Sequence, residues 1–247
     1  MQTLSNNQRR RKLEHIRAAC QVYITGSLKN TLAQLLANDT NGLGSIDIAP
    51  DDPDGQTLLL RYPRLEASHD AYVRPVVRIE SGAKSALDPH RTVTVKPYIA
   101  DDVPAFDFSI ANITAIDPRR TFWDKIVIVH GLRRWYERRG IVRQEGQRIS
   151  RHYYDLHCLL ESAVGSEALA DRELAADCVA HARMFFDRPD FDLAAAAPGS
   201  YAIAPVDEMI AALRRDYSNT IAMVFGSAPA FDKVMESITR LDMAANQ

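Results

Sequence analysis

From residue 8 to residue 37 the apolar positions keep a helical spacing. Leu13, Ile16, Cys20, Ile24, Leu28, Leu32 and Leu35 recur three or four apart, which gathers them on one face of a helix. Gly26 marks a point where that helix could kink or divide. The cluster Asn38-Asp39-Thr40-Asn41-Gly42 ends it. The period then changes. Ser45 to Ala49 and Gln56 to Tyr62 read as strands around a loop over 50–55. Val73 to Ser81 alternates, with Val76, Arg78 and Glu80 on one face and Val77, Ile79 and Ser81 on the other. After a loop around Leu87-Asp88-Pro89-His90, the run Arg91 to Pro97 alternates again. These two alternating runs could pair as an antiparallel ribbon, in which Arg78, Glu80 and Lys96 would share or border a polar face.

The helical period returns after Ile113-Thr114-Ala115-Ile116-Asp117. Asp117 suits an N-cap and Pro118 the first turn of a helix running to about Gly140. Phe122, Ile126, Val129, Arg133 and Tyr136 line one side of it, a stripe broken by the arginine alone. A second helix spans about Ser150 to Ser162, with Tyr153, Leu156 and Leu160 as its buried stripe. Further helices fall at about 166–186, 206–224 and 230–243, and Phe191 to Ala204 reads as a connection. Helices, then strands, then helices predict an α+β fold: a small, mostly antiparallel sheet followed by a C-terminal helical bundle. The expected division is residues 1–117 for the N-terminal helices and sheet and 118–247 for the helical domain.

Composition narrows the function classes. Of 247 residues 46% are hydrophobic, enough for a sizeable core. The net charge of −2 excludes a globally basic nucleic-acid coat. Yet Pro118 to Arg151 holds ten basic residues against three acidic ones, an asymmetry that suits either a phosphate or nucleic-acid site or a solvated helix face. No apolar run reaches the roughly 18 residues of a membrane span, and the opening MQTLSNNQRRRKLEHIR has no secretory h-region. Three cysteines without CxxC spacing argue against a disulfide framework and a zinc cage. The expected compartment is the cytoplasm.

There is no P-loop, GxGxxG, HExxH or GxSxG. The densest titratable cluster is His152-Tyr153-Tyr154-Asp155-Leu156-His157, where His152 and Asp155 lie one helical turn apart and His157 points elsewhere. Asp124 and Lys125 sit inside an apolar helix, where a long lysine can still reach solvent. Spacing alone leaves these groups, and Glu80 beside Arg78, as surface pairs, with Trp123 and Trp135 as core packing.

Three segments taken together say more. Residues 72–84 (YVRPVVRIESGAK), 116–126 (IDPRRTFWDKI) and 151–156 (RHYYDL) resemble, in order and spacing, the AbiEii/AbiGii toxin family of nucleotidyltransferase-like proteins. The stretches 179–186 (VAHARMFF) and 228–232 (APAFD) are similar to that family's C-terminal helices. The resemblance implies a polymerase-β-like nucleotidyltransferase that moves a nucleotide from a nucleoside triphosphate to an RNA (tRNA-like) or protein acceptor with Mg²⁺. It also implies one half of a toxin–antitoxin pair linked to phage defence, with a cognate antitoxin as partner. By the same resemblance Lys125 and Asp155 are catalytic and Glu80 is a metal ligand. Arg78, Lys96, Arg120 and Arg151 fall to substrate binding. The family's Gly-Gly-Thr/Ser phosphate loop and its paired carboxylates are not found, and Ser45-Ile46-Asp47-Ile48 offers one acid. The chain therefore reads as beginning after those elements and as incomplete for catalysis, since one glutamate is a poor Mg²⁺ site. An unpaired sheet edge would then invite self-association. The alternative is a non-catalytic RNA- or antitoxin-binding module derived from the same fold.

Overall fold

The computed structural model describes residues 5–63, 75–82, 84–143, 148–221, 224 and 226–247. Residues 72–74 and 83 of the first motif, 144–147 of the turn after Gly140 and 222–223 of the helix expected to reach 224 lie outside that set. The chain forms two units, Met1–Ser85 and Ala86–Gln247.

The first unit opens with helix α1, Asn6–Tyr23. Ser5 caps it: the Ser5 hydroxyl accepts from the Gln8 backbone N–H and the Gln8 side chain accepts from the Ser5 N–H. A π turn at Ile24–Leu28 joins α1 to α2, Lys29–Asp39. The apolar spacing explains this turn. From Ile16 to Leu36 the stripe advances in steps of four, and each such step drifts about 40° around a straight α-helix. A π turn takes up an extra residue and restores the stripe to one side. Ala33 and Leu36 accordingly pack after Leu32, while Leu35, expected on the stripe, is 54% exposed. Leu36 lies over Gly44, where a Cβ would come within 2.7 Å of it.

Strands β1 (Ser45–Ile48), β2 (Thr57–Arg61) and β3 (Val76–Glu80) form an antiparallel sheet in that order. Ile46 and Leu58 meet Ile24 at its centre, ringed by Cys20, Leu28, Leu32, Leu36, Leu60 and Ile79. The expected pairing of the Val73–Ser81 and Arg91–Pro97 runs does not form. β3 pairs with β2, because that register sets Ile79 opposite Leu58 and Val77 opposite Leu60, matching apolar side chains across the ladder.

In the second unit β4 (His90–Val95) pairs with β5 (Ile110–Ile116) as a two-stranded antiparallel ribbon. A bulge falls between Val93 and Val95, where Asn112 takes a φ of 61°. Helix α3, Pro118–Arg139, follows. Its N-cap is Asp117, whose carboxylate accepts from the Arg119 N–H, and it ends at Gly140 with φ 66°. α4 (Ser150–Leu160), α5 (Ala163–Ala170) and α6 (Arg172–Phe185) pack against α3. Helix α3 is therefore buried on more than its predicted stripe: Trp123, Val127 and His130 join Phe122, Ile126 and Val129 inside. The single helix expected over 166–186 is two, because Asp171 accepts from the Leu174 N–H and starts α6. Two 3₁₀ turns, Pro189–Phe191 and Leu193–Ala195, occupy the connection. Helices α7 (Asp207–Thr220) and α8 (Phe231–Ala245) close the bundle. Phe231, Val234, Ile238, Leu241 and Ala245 form the buried stripe of α8, and truncating one of its large members to alanine costs about 2–5 kcal/mol. Among the described residues no helix is long and apolar enough to cross a membrane.

Candidate functional site

Helix α3 carries Asp124 and Lys125 side by side. Successive helical residues point about 100° apart, so these two face different neighbours. Lys125 turns to α4. Its ammonium donates to Asp155 Oδ2 at 2.6 Å and to His152 Nδ1 at 3.2 Å. A lysine ammonium has donors and no acceptor, so His152 Nδ1 is bare and its proton sits on Nε2. His152 and Asp155, one turn apart on α4, therefore both bond the same cation.

Packing fixes α4 in that orientation. Tyr153 and Leu156 are buried in the core of the bundle. The N-cap position holds Ile149, which has no side-chain acceptor. Asp216 of α7 supplies one instead. Its carboxylate accepts from the Arg148 N–H at 2.9 Å, the Ser150 N–H at 2.8 Å and the Ser150 hydroxyl at 2.6 Å. Burial, then the charges of Lys125 and Arg151, push the His152 pKa down to about 4. The imidazole is neutral at neutral pH.

Asp124 faces α6. It lies 3.7 Å from the Arg120 guanidinium, and burial holds its carboxyl above the ordinary range. Burial also pushes the neighbouring Cys178 thiol up, helped by Asp124. Arg120 itself is 2% exposed. Its Nη1 donates to the Asp88 carbonyl and to Asp177 Oδ2, each at 2.6 Å, so this guanidinium ties the entry to β4, α3 and α6 together.

The other sequence candidates stand as follows. Arg78 and Glu80 lie on β3 in the first unit, where Arg78 bonds Glu80 at 2.9 Å and Asp51 at 3.1 Å. Lys96 bonds Asp101 at 2.7 Å in the second unit. Arg151 is exposed on α4. Lys125 and Asp155 are brought together. A resident Mg²⁺ needs several oxygen ligands. Glu80 offers one carboxylate, already bonded to Arg78, and the described residues hold no group of three His, Cys, Asp or Glu able to bind a metal ion. The described residues do not supply that ligand set.

The arginine-rich stretch is largely neutralised within the chain. Arg133 and Arg134 share Glu137 at 3.0 and 2.9 Å, Arg138 meets Asp192 at 3.3 Å and Arg139 meets Asp190 at 2.6 Å. The guanidiniums of Arg139 and Arg143 also lie over the Trp135 ring. These contacts fasten the 3₁₀ connection to the end of α3. His130 fastens the same connection further along: Nδ1 accepts from the Ala202 N–H and Nε2 donates to the Asp192 carbonyl.

Sequence reasoning paired His152 with Asp155 and set Lys125 near Asp155, as the 2.6 Å contact bears out, but did not see that His152 also meets Lys125. The signal was their one-turn spacing on the helix after the lysine. Asp216 had no local signal, since it lies 66 residues from the Ser150 it caps.

Small antiparallel sheets, a helical bundle and a partly exposed lysine–carboxylate pair between α3 and α4 accord with a nucleotidyl transferase toxin. The family model described as nucleotidyl transferase AbiEii toxin, type IV TA system, matches residues 4–237, and the chain belongs to that family. No curated protein and no solved structure matches it.

Proposed function

We propose that this chain transfers a nucleoside monophosphate from a nucleoside triphosphate to an RNA or protein acceptor, with Lys125 neutralising phosphate charge and Asp155 orienting Lys125. The observation that carries the reading is the 2.6 Å contact between Lys125 and Asp155, made by two residues that the family resemblance had paired as catalytic. Phosphoryl chemistry of this kind asks the protein for positioning and charge neutralisation more than for covalent steps. A compact ammonium held by one carboxylate, and 20% exposed, is suited to that work. The family implies a divalent ion as well; no step here runs through it. Arg151, exposed one residue before His152, is the nearest substrate-binding candidate along the helix.

The test is transfer of label from each of the four α-³²P nucleoside triphosphates, with Mg²⁺, onto bulk RNA and onto protein. Label transfer that drops at least roughly 100-fold in Lys125→Ala supports the reading. Transfer unchanged in that variant removes Lys125 from the chemistry. A folded wild-type chain that labels nothing overturns the transferase reading in favour of a non-catalytic module.

A further inference from the structure

We propose that His152 is a positioning residue for Lys125: its Nδ1 accepts one ammonium hydrogen while Asp155 accepts a second, leaving the third for a phosphate oxygen of the ligand. The first half rests on geometry alone. The second half rests also on the phosphate reading above.

An ammonium carries three hydrogens. A lysine paired with one carboxylate is a loose contact, because the long stem can swing while the ion pair persists. Two acceptors on one face of a helix remove that freedom. His152 and Asp155 are three residues apart on α4, and they receive Nζ at 3.2 and 2.6 Å. Among the described residues no third acceptor bonds this nitrogen, and the side chain is open to solvent over a fifth of its surface. The acceptors themselves are held. Asp216 grips Arg148 and Ser150, four and two residues before His152, and Tyr153 is buried immediately after it. The imidazole also stays neutral near pH 7, so its Nδ1 lone pair persists. A protonated histidine in this place would repel the lysine instead.

The experiment reads the lysine directly in the full chain. Lys125 is labelled at neutral pH with trace acetic anhydride and its rate found by mass spectrometry in wild type, His152→Leu and His152→Asn. Asparagine places an amide oxygen near the Nδ1 position; leucine offers no acceptor. An acceptor hydrogen bond stabilises the ammonium against the reactive amine, so His152→Leu should label roughly tenfold faster and His152→Asn close to the wild-type rate. Equal rates in all three overturn the positioning role, as does equal acceleration in both variants. Should His152→Leu fail to fold, ¹⁵N chemical shifts of the His152 ring in the wild type decide: hydrogen on Nε2 alone supports the proposal, and hydrogen on Nδ1 overturns it. None of these arms uses a ligand. Sodium tripolyphosphate, added to the wild type, addresses the remaining hydrogen. Slower labelling of Lys125 supports it, and no slowing overturns that half together with the phosphate reading, leaving the His152 contact standing on its own measurement.

Discussion

A guanidinium with 2% of its surface exposed must find its acceptors inside the protein. Arg120 finds Asp177 and the Asp88 carbonyl, with Asp124 close by. Removing it deletes one of the largest fully buried side chains and takes a donor from Asp177 and the Asp88 carbonyl, so Arg120→Ala is expected to lower the unfolding free energy by about 3 kcal/mol. Arg151→Ala, on the surface, should stay within about 0.5 kcal/mol of wild type. Urea denaturation of the two variants makes the comparison. The sequence could not separate these arginines, since both sit in motifs that resemble substrate-binding segments and burial is decided by which helix packs where. Lys125 and Asp155 were legible for the opposite reason: each stands in a local run whose spacing survives in the fold. Histidine at position 152 was legible as a neighbour of Asp155 and illegible as a neighbour of Lys125.

At the level of elements, the periodicities gave most helices and the first two strands within a few residues. They failed where a choice between partners was needed. β3 could pair by alternation with more than one run, and the match of Ile79 and Val77 to Leu58 and Leu60 decided it. The two glycines that interrupt or end helices separate cleanly by conformation. Gly140 has φ 66°, which an L side chain resists, so Gly140→Ala is expected to destabilise by about 1 kcal/mol. Gly26 lies in the π turn without a left-handed φ and with open space where a Cβ would stand. Gly26→Ala is therefore expected to stabilise by about 0.5–1 kcal/mol. Thermal unfolding of both variants should show shifts of opposite sign.

Across the whole molecule, stability should depend on pH through buried imidazoles. Burial lowers the pKa of His130, His152 and His157 below the ordinary 6.5. The unfolded chain then takes up protons before the folded one, so stability is complete above about pH 6.5 and declines as pH falls, toward about 4 for His152. Asp124 acts with the opposite sign: its raised pKa favours the fold as pH falls. With three imidazoles against one carboxyl, unfolding midpoints should drop between pH 7 and pH 5, and His152→Asn should make that slope shallower. The two units also differ in core. Among the described residues three buried apolar side chains, Ile24, Ile46 and Leu58, centre the first, whereas the second has a core running through α3 to α8. Amides of β2 should exchange with solvent deuterium at lower urea than those of α3. Tryptophan fluorescence will miss the earlier event, because Trp123 and Trp135 both belong to α3.

The internal pairing of Arg133, Arg134, Arg138 and Arg139 also bears on how the protein behaves in the hands of a biochemist. A polyanion gains from a basic surface by shedding its condensed counterions, and arginines already facing Glu137, Asp190 and Asp192 have little charge to offer in exchange. On immobilised heparin the chain should leave the column early in a salt gradient, as its net charge of −2 suggests and its arginine-rich stretch does not.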